Sequence, residues 1–258
     1  MRRLVFAASV AMAMAAVAQE PGVSEREHVP PDPPQTRVHE MPYHDMADMM
    51  GMDDRKRFGK VMIDRLEWRD GDTYEWDAAG WYGGDFNKLW IEAEGEHHDA
   101  TDARVEILWD RIATAWWSTR LGLRSDVGDD PSREWLAFGV AGLAPGFVEL
   151  EAMAYVGDGG RTALRLSTEY DLLLTQRLVL QPQLELDAYG EDDPERRVGA
   201  GVSDLEIGLR LRYEIRREIA PYLGVSWSKR FGQTADLARA AGEETDEIAY
   251  VAGFRLWF

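Results

Sequence analysis

Alternation at period two constrains this chain more than any other feature. Over residues 204–215, Leu205, Ile207, Leu209, Leu211, Tyr213 and Ile215 fall on one parity, while Asp204, Glu206, Arg210, Arg212 and Glu214 fall on the other. Residues 162–172 repeat the pattern, with Leu164, Leu166, Thr168, Tyr170 and Leu172 set against Arg165, Ser167, Glu169 and Asp171. A third run sets Leu180, Pro182, Leu184, Leu186 and Ala188 against Gln181, Gln183, Glu185 and Asp187. Successive side chains of a strand point to opposite faces, so such segments are strands with one apolar and one ionic face.

Twelve segments of this kind are expected, near 61–69, 73–82, 88–95, 103–112, 116–125, 133–143, 147–156, 161–172, 178–189, 203–215, 220–231 and 247–258. Connections after even-numbered strands are short, near 83–87, 113–115, 144–146, 173–177 and 216–219. Those after odd strands include the longer polar stretches 96–102, 126–132, 190–202 and 232–246, with 70–72 and 157–160 as short exceptions. An even strand count with short turns on one side and larger loops on the other predicts a transmembrane antiparallel up-and-down β-barrel. A soluble β-sandwich also alternates, but the polar face here is densely ionic, as a wet lumen allows. Trp117, Tyr170, Tyr213 and Phe258 gather at strand ends, as in an interfacial girdle. Segments 61–69, 73–82 and 133–143 alternate weakly, which leaves a count of ten open, and Pro182 inside a strand lacks a ladder donor.

Composition and the N-terminus frame this barrel. Residues 1–18 read as a signal peptide: Arg2 and Arg3, an apolar run from Leu4 to Val17, and Ala16-Val17-Ala18 as a small-x-small cleavage site. Its removal takes the formal charge from −18 to −20 by the loss of two arginines. That balance disfavours nucleic acid as a partner, because phosphate contacts need clustered Lys and Arg. Residues 19–58 form a Pro-, Met- and His-bearing tail with Pro30-Pro31-Asp32-Pro33-Pro34, read as a flexible tether. Residues 59–258 are the outer-membrane barrel, and the tail is expected in the periplasm. Cysteine is absent, which excludes disulfides and thiolate metal sites. No G-x-S-x-G, H-E-x-x-H or phosphate-cradling loop is present, and the five histidines lie in the tail or at 97–98. A non-enzymatic protein is expected.

Chemistry concentrates in residues 39–52, where His39, Met41, His44, Met46, Met49, Met50 and Met52 place five thioethers and two imidazoles within fourteen residues. Thioether sulfur suits Cu(I), and imidazole suits Cu(II) among other metals. The i, i+3, i+4 spacing of Met46, Met49 and Met50 equally suits the apolar face of a short docking helix. His97-His98 falls in an expected outer loop, where a solvated loop is a simpler reading than chelation. In the expected lumen, Glu92, Glu94, Glu106, Asp110, Glu149, Glu151, Glu169, Asp171, Glu185, Asp187, Asp204 and Glu206 face Arg104, Arg120, Arg124, Arg165, Arg210 and Arg212. These either plug the barrel with ion pairs or form an acidic path for cations; filled lumens of this size favour the plug.

Several stretches then resemble a known family. They are Gly80-Trp-Tyr-Gly-Gly-Asp-Phe-Asn-Lys-Leu-Trp90, Gly159-Gly-Arg-Thr-Ala-Leu-Arg-Leu166, Glu169 to Pro182, Tyr189-Gly-Glu-Asp-Asp-Pro-Glu-Arg-Arg197, Ser203-Asp-Leu-Glu206, Leu209 to Arg217, and Arg255-Leu-Trp-Phe258. Together they resemble the copper resistance protein B family over residues 60–258. The resemblance implies an outer-membrane copper-binding barrel acting in copper resistance. It also implies the company of periplasmic copper proteins such as a multicopper oxidase, and a Met/His segment ahead of the barrel, the place residues 39–52 occupy. A non-metal passive channel or structural barrel is the alternative.

Overall fold

The structure is a computed structural model that describes residues 45, 49–50, 56–70, 73–97, 101–128 and 131–258. Its strands are β1 (Phe58–Arg69), β2 (Thr73–Gly83), β3 (Asn87–His97), β4 (Thr101–Ile112), β5 (Trp117–Gly128), β6 (Arg133–Ala144), β7 (Val148–Gly157), β8 (Thr162–Glu169), β9 (Leu172–Leu173), β10 (Leu178–Tyr189), β11 (Gly201–Tyr213), β12 (Ile219–Arg230) and β13 (Asp246–Trp257), with helix α1 (Gly232–Ala241) between the last two. Every pairing is antiparallel and, apart from the closing one, joins staves consecutive along the chain, with β8 and β9 forming two halves of one stave against β10. Pairing of β13 with β1 closes the cylinder, so the described residues form twelve staves and not ten.

Burial is inverted relative to a water-soluble protein. Leu223 and Tyr250 leave 68% and 69% of their surface uncovered, while Glu67 and Arg210 are buried to 1% and 2%. Exposed aliphatics of this kind would each forfeit about 1.5–3 kcal/mol in water, and lipid removes that penalty. Closure also leaves no unpaired sheet edge. The starts of β1 and β3 and the end of β13 lie at one end, here the terminal end, with the short connections 84–86, 113–116, 145–147, 174–177 and 214–218. The opposite, loop end carries the longer segments 190–200 and 231–245.

The weakly alternating strands have physical causes. In β1 the register shifts between Ile63 and Leu66 against β13 and between Ile63 and Arg65 against β2. Such a bulge adds one residue and changes which parity faces inward. Met62 faces the lumen before it; Arg65, Glu67 and Arg69 face it afterwards. In β2 and β6 the inner face is itself apolar over part of its length: Ala79 and Trp81 in one, Trp135, Ala137, Gly139 and Ala141 in the other. Trp81 pairs across from Trp90, with ring centroids 6.3 Å apart.

Pro182 also finds its place. The Tyr170 N–H donates to the Pro182 carbonyl at 3.1 Å, but proline has no N–H to return. There the expected continuous strand 161–172 breaks into β8 and β9. At the terminal rim Tyr213 and Phe258 are exposed, Trp117 and Tyr170 are half-buried, and the turn residues Phe86, Trp116 and Phe147 extend the aromatic belt.

Candidate functional site

The lumen is built by the inward parity of each strand and is crossed by ion pairs. From β5, Arg120 reaches Glu92 on β3 (2.9 Å), Asp110 on β4 (3.3 Å) and Glu151 on β7 (2.8 Å), with its guanidinium 4.8 Å from the Trp90 ring centre. Arg165 on β8 binds Glu94 (3.3 Å), Asp187 (3.1 Å) and Glu185, and Glu94 also pairs with Arg104. Arg210 on β11 makes a two-point bond to Glu67 on β1, at 2.8 and 3.1 Å. Arg212 holds Asp171 at 2.7 Å, and Ser226 donates to Glu206 at 3.0 Å. Glu106 accepts from the Tyr155 hydroxyl at 3.0 Å. Glu169 accepts from Gln181 and lies 3.9 Å from Arg255, and Asp204 lies 4.0 Å from Arg230. Glu149 stands directly across from Glu169 at the terminal end.

The six arginines and twelve carboxylates expected inside therefore all face the interior. Sequence reasoning missed Asp64, Arg65, Glu67, Arg69, Glu75, Asp77, Asp126 and Arg255. Those on β1 were hidden by the bulge, whereas Asp126 simply continues the parity of Arg120 and Arg124.

A cavity of about 620 Å³ occupies the terminal half of the lumen. It runs from Trp116 in the turn before β5 inward to Tyr155, Arg104 and Arg165. Ten carboxylates and eight cationic side chains line it, so it is nearly balanced and not a bare acidic path. Met62 and Met153 also line it, two thioethers outside the expected ligand set; β1 and β7 bring them from different sides of the barrel.

Past Tyr155 the lumen is plugged on one side. Arg124 binds Asp126 at 2.7 Å and lies over the Tyr155 and Trp135 rings, at 4.5 and 5.8 Å from their centres. The Trp135 indole N–H donates to Asp126 at 2.8 Å, and Tyr189 packs 6.5 Å from Trp135. Farther out, Arg133 grips Asp193 through two bonds of 2.8 and 3.1 Å and Glu195 at 2.9 Å. The Arg133 guanidinium holds the Asp193 carboxyl below the usual carboxylate range. Helix α1 packs beside this loop: the Thr234 hydroxyl accepts from the Gly199 N–H at 2.9 Å and meets Ser203 at 3.0 Å.

Of the expected metal ligands, His39, Met41, His44, Met46 and Met52 lie outside the described residues. Met49 is helical and half-buried, and Met50 lies in an adjoining turn with 51% of its surface exposed. His98 is also outside them, whereas His97 is the last residue of β3 and not part of a loop. Among the described residues no group of three or more His, Asp or Glu side chains is placed to hold a metal ion.

The family described as copper resistance protein B precursor matches residues 57–258. Copper resistance protein B of Escherichia coli is 43% identical over 203 residues, covering 77% of this chain and 69% of that protein. A copper resistance protein B homolog of Pseudomonas syringae pv. tomato is 44% identical over 202 residues, covering 76% and 69%. Among solved structures, the NanC porin is 15% identical, covers 77% of this chain and 98% of the porin, and has a TM-score of 0.52. That last likeness is one of barrel fold alone.

Proposed function

The chain belongs to the copper resistance protein B family, and on that premise we propose that it serves copper tolerance by capturing copper ions at the terminal-end mouth of an outer-membrane barrel. The ligands in this reading are His39, Met41, His44, Met46, Met49, Met50 and Met52. One observation carries it: the wide end of the lumen opens at the same end as Phe58, and Met52 stands six residues before Phe58. Six extended residues span about 20 Å, enough to bring a tail-bound ion over the mouth.

The chemistry of the donors supports copper. Thioethers favour Cu(I) and imidazoles accept Cu(II), so a mixed set can hold the ion through a change of oxidation state. Asp45, Asp48 and Asp53 add attraction for a cation without displacing soft ligands. With the short turns facing the periplasm, the tail would meet periplasmic copper-resistance proteins such as a multicopper oxidase, while lipid covers the outer face. The barrel itself performs no catalysis in this reading.

Copper titration of the detergent-purified full chain, compared with a variant lacking residues 39–52, tests it. Loss of the tight sites on deletion is expected. Unchanged stoichiometry and affinity would refute capture by the tail.

A further inference from the structure

Arg165 stands at the inner end of the lumenal cavity, where accessible carboxylates continue toward the loop end. On the terminal side, Arg165, Glu94 and Glu185 line the 620 Å³ cavity. On the loop side, Asp187, Glu206 and Asp204 lie beyond that cavity, yet 21%, 24% and 45% of their side-chain surface stays open to solvent. Solvent-accessible side-chain surface therefore flanks Arg165 on both sides, beside the aromatic plug at Trp135.

At this level runs a crossbar of alternating charge. Arg65 on β1 holds Glu185 on β10 at 2.9 Å; Glu185 pairs with Arg165 on β8; Arg165 reaches Glu94 on β3 at 3.3 Å; and Glu94 pairs with Arg104 on β4. Arg165 is the central member, because it also carries Asp187 at 3.1 Å. At the level of Arg165 and one inward step nearer the terminal end, two successive rungs place like charges face to face, Asp187 opposite Asp204 and Glu185 opposite Glu206. Directly opposed carboxylates repel and persist only where cations offset them. Arg65 at 2.9 Å from Glu185 and Arg69 at 2.8 Å from Glu206 offset one rung, and the Arg165 guanidinium, which touches both Glu185 and Asp187, links it to the other.

We infer that Arg165 gates a path for small cations through the barrel, its guanidinium occupying the carboxylate cage of Glu94, Glu185 and Asp187 that a passing cation would otherwise use. A ring of fixed carboxylates selects cations, and a tethered cation inside it closes the route while leaving the barrel intact. The inference stands apart from copper capture by the tail: it concerns passage of a monovalent cation such as K⁺ and not a held metal ion, and either can fail alone.

The test is conductance of the full chain in planar bilayers under a KCl gradient. Arg165→Gln is expected to raise single-channel conductance several-fold over the unsubstituted protein and to move the reversal potential toward that of K⁺. Adding Glu94→Gln and Asp187→Asn to that variant is expected to abolish the cation preference while the pore stays open. A conductance and reversal potential equal to those of the unsubstituted protein overturn the inference, as does a triple variant that remains equally cation-selective. Folding is checked by the heat-dependent shift in gel migration. Should Arg165→Gln fail to fold, Arg165→Lys serves instead. An ammonium cannot fork across three carboxylates, so a smaller rise in conductance is expected, and no rise refutes the gate.

Discussion

Replacing Glu67 by Gln tests whether the lumen is a desolvated ionic core or merely a hydrated surface turned inward. Glu67 has no exposed side-chain area and Arg210 has 3%. Their two-point bond crosses from β11 to β1 over two intervening strands, bracing the seam where first and last staves meet. In Glu67→Gln the amide keeps the shape and loses the charge. Arg210 then keeps at most one of its two bonds to residue 67 and faces an NH2 donor in place of the other oxygen. Gln183 at 2.8 Å and Glu206 at 3.8 Å are its remaining partners, and Arg69 loses an ionic contact at 3.5 Å. Breaking one partner of a buried pair costs about 3–5 kcal/mol, while replacing both by apolar groups of similar volume is often nearly neutral. With a urea slope of about 2 kcal/mol per molar, the unfolding midpoint should fall by about 2 M. The readout is tryptophan emission of the barrel in lipid vesicles during urea unfolding. The double variant Glu67→Met with Arg210→Met should recover most of the loss. A cost within about 1 kcal/mol for the single variant is the range of an exposed pair and would refute the reasoning.

Two further outcomes follow from close packing and from the loop end. Gly224→Ala would set its methyl 2.6 Å from the Leu209 carbonyl oxygen and 3.0 Å from Arg210 Cγ, so it should lose about 1–3 kcal/mol in the same assay. Gly84→Ala, whose methyl meets only Lys56 O at 3.9 Å, should match the unsubstituted protein. Because folding lowers the Asp193 carboxyl, its stabilisation is full above the unfolded value of about 3.9 and drains as pH falls through the lower folded value. Protection of the amides of residues 190–200, measured relative to intrinsic exchange at each pH, should therefore fall below about pH 4, and Asp193→Asn should show the same loss of protection at neutral pH.

Where a strand keeps one parity from end to end, its residues alone reveal both its direction and its cargo of charge. In β10 and β11, every second residue between Gln181 and Asp187 or Arg212 and Asp204 is polar or glycine, and every one faces the lumen. Legibility fails where the repeat itself changes. The β1 bulge hides Glu67 and Arg69, because a single added residue moves the inward set from even to odd positions. In β6 the inner face is filled with Trp135 and small residues, since the Arg124–Asp126 pair and the Tyr155 ring already occupy the space before it. The partners of Arg165 were legible as inward residues but not as a set. Glu94 and Arg165 are 71 positions apart and meet only because the cylinder closes.

Closure also decides what an ion can do inside. A lumen with ten carboxylates and eight cations in its wide half offers little net charge, so attraction into it is weak at long range. On the gate proposed above, selectivity would come from exchange of partners: an arriving cation gains a carboxylate only as fast as an arginine gives one up. The arginines differ in how readily they can do so. Arg210 is locked between Glu67 and the faces of Gly208 and Gly224, where a methyl on Gly208 would stand 2.5 Å from its guanidinium. Arg165, with 15% of its side chain open and partners on β3 and β10, is held by bonds that water can reach. The seam pair is thus sealed from water while the crossbar is open to it, although both consist of the same two chemical groups, and the gate proposed for Arg165 rests on that difference.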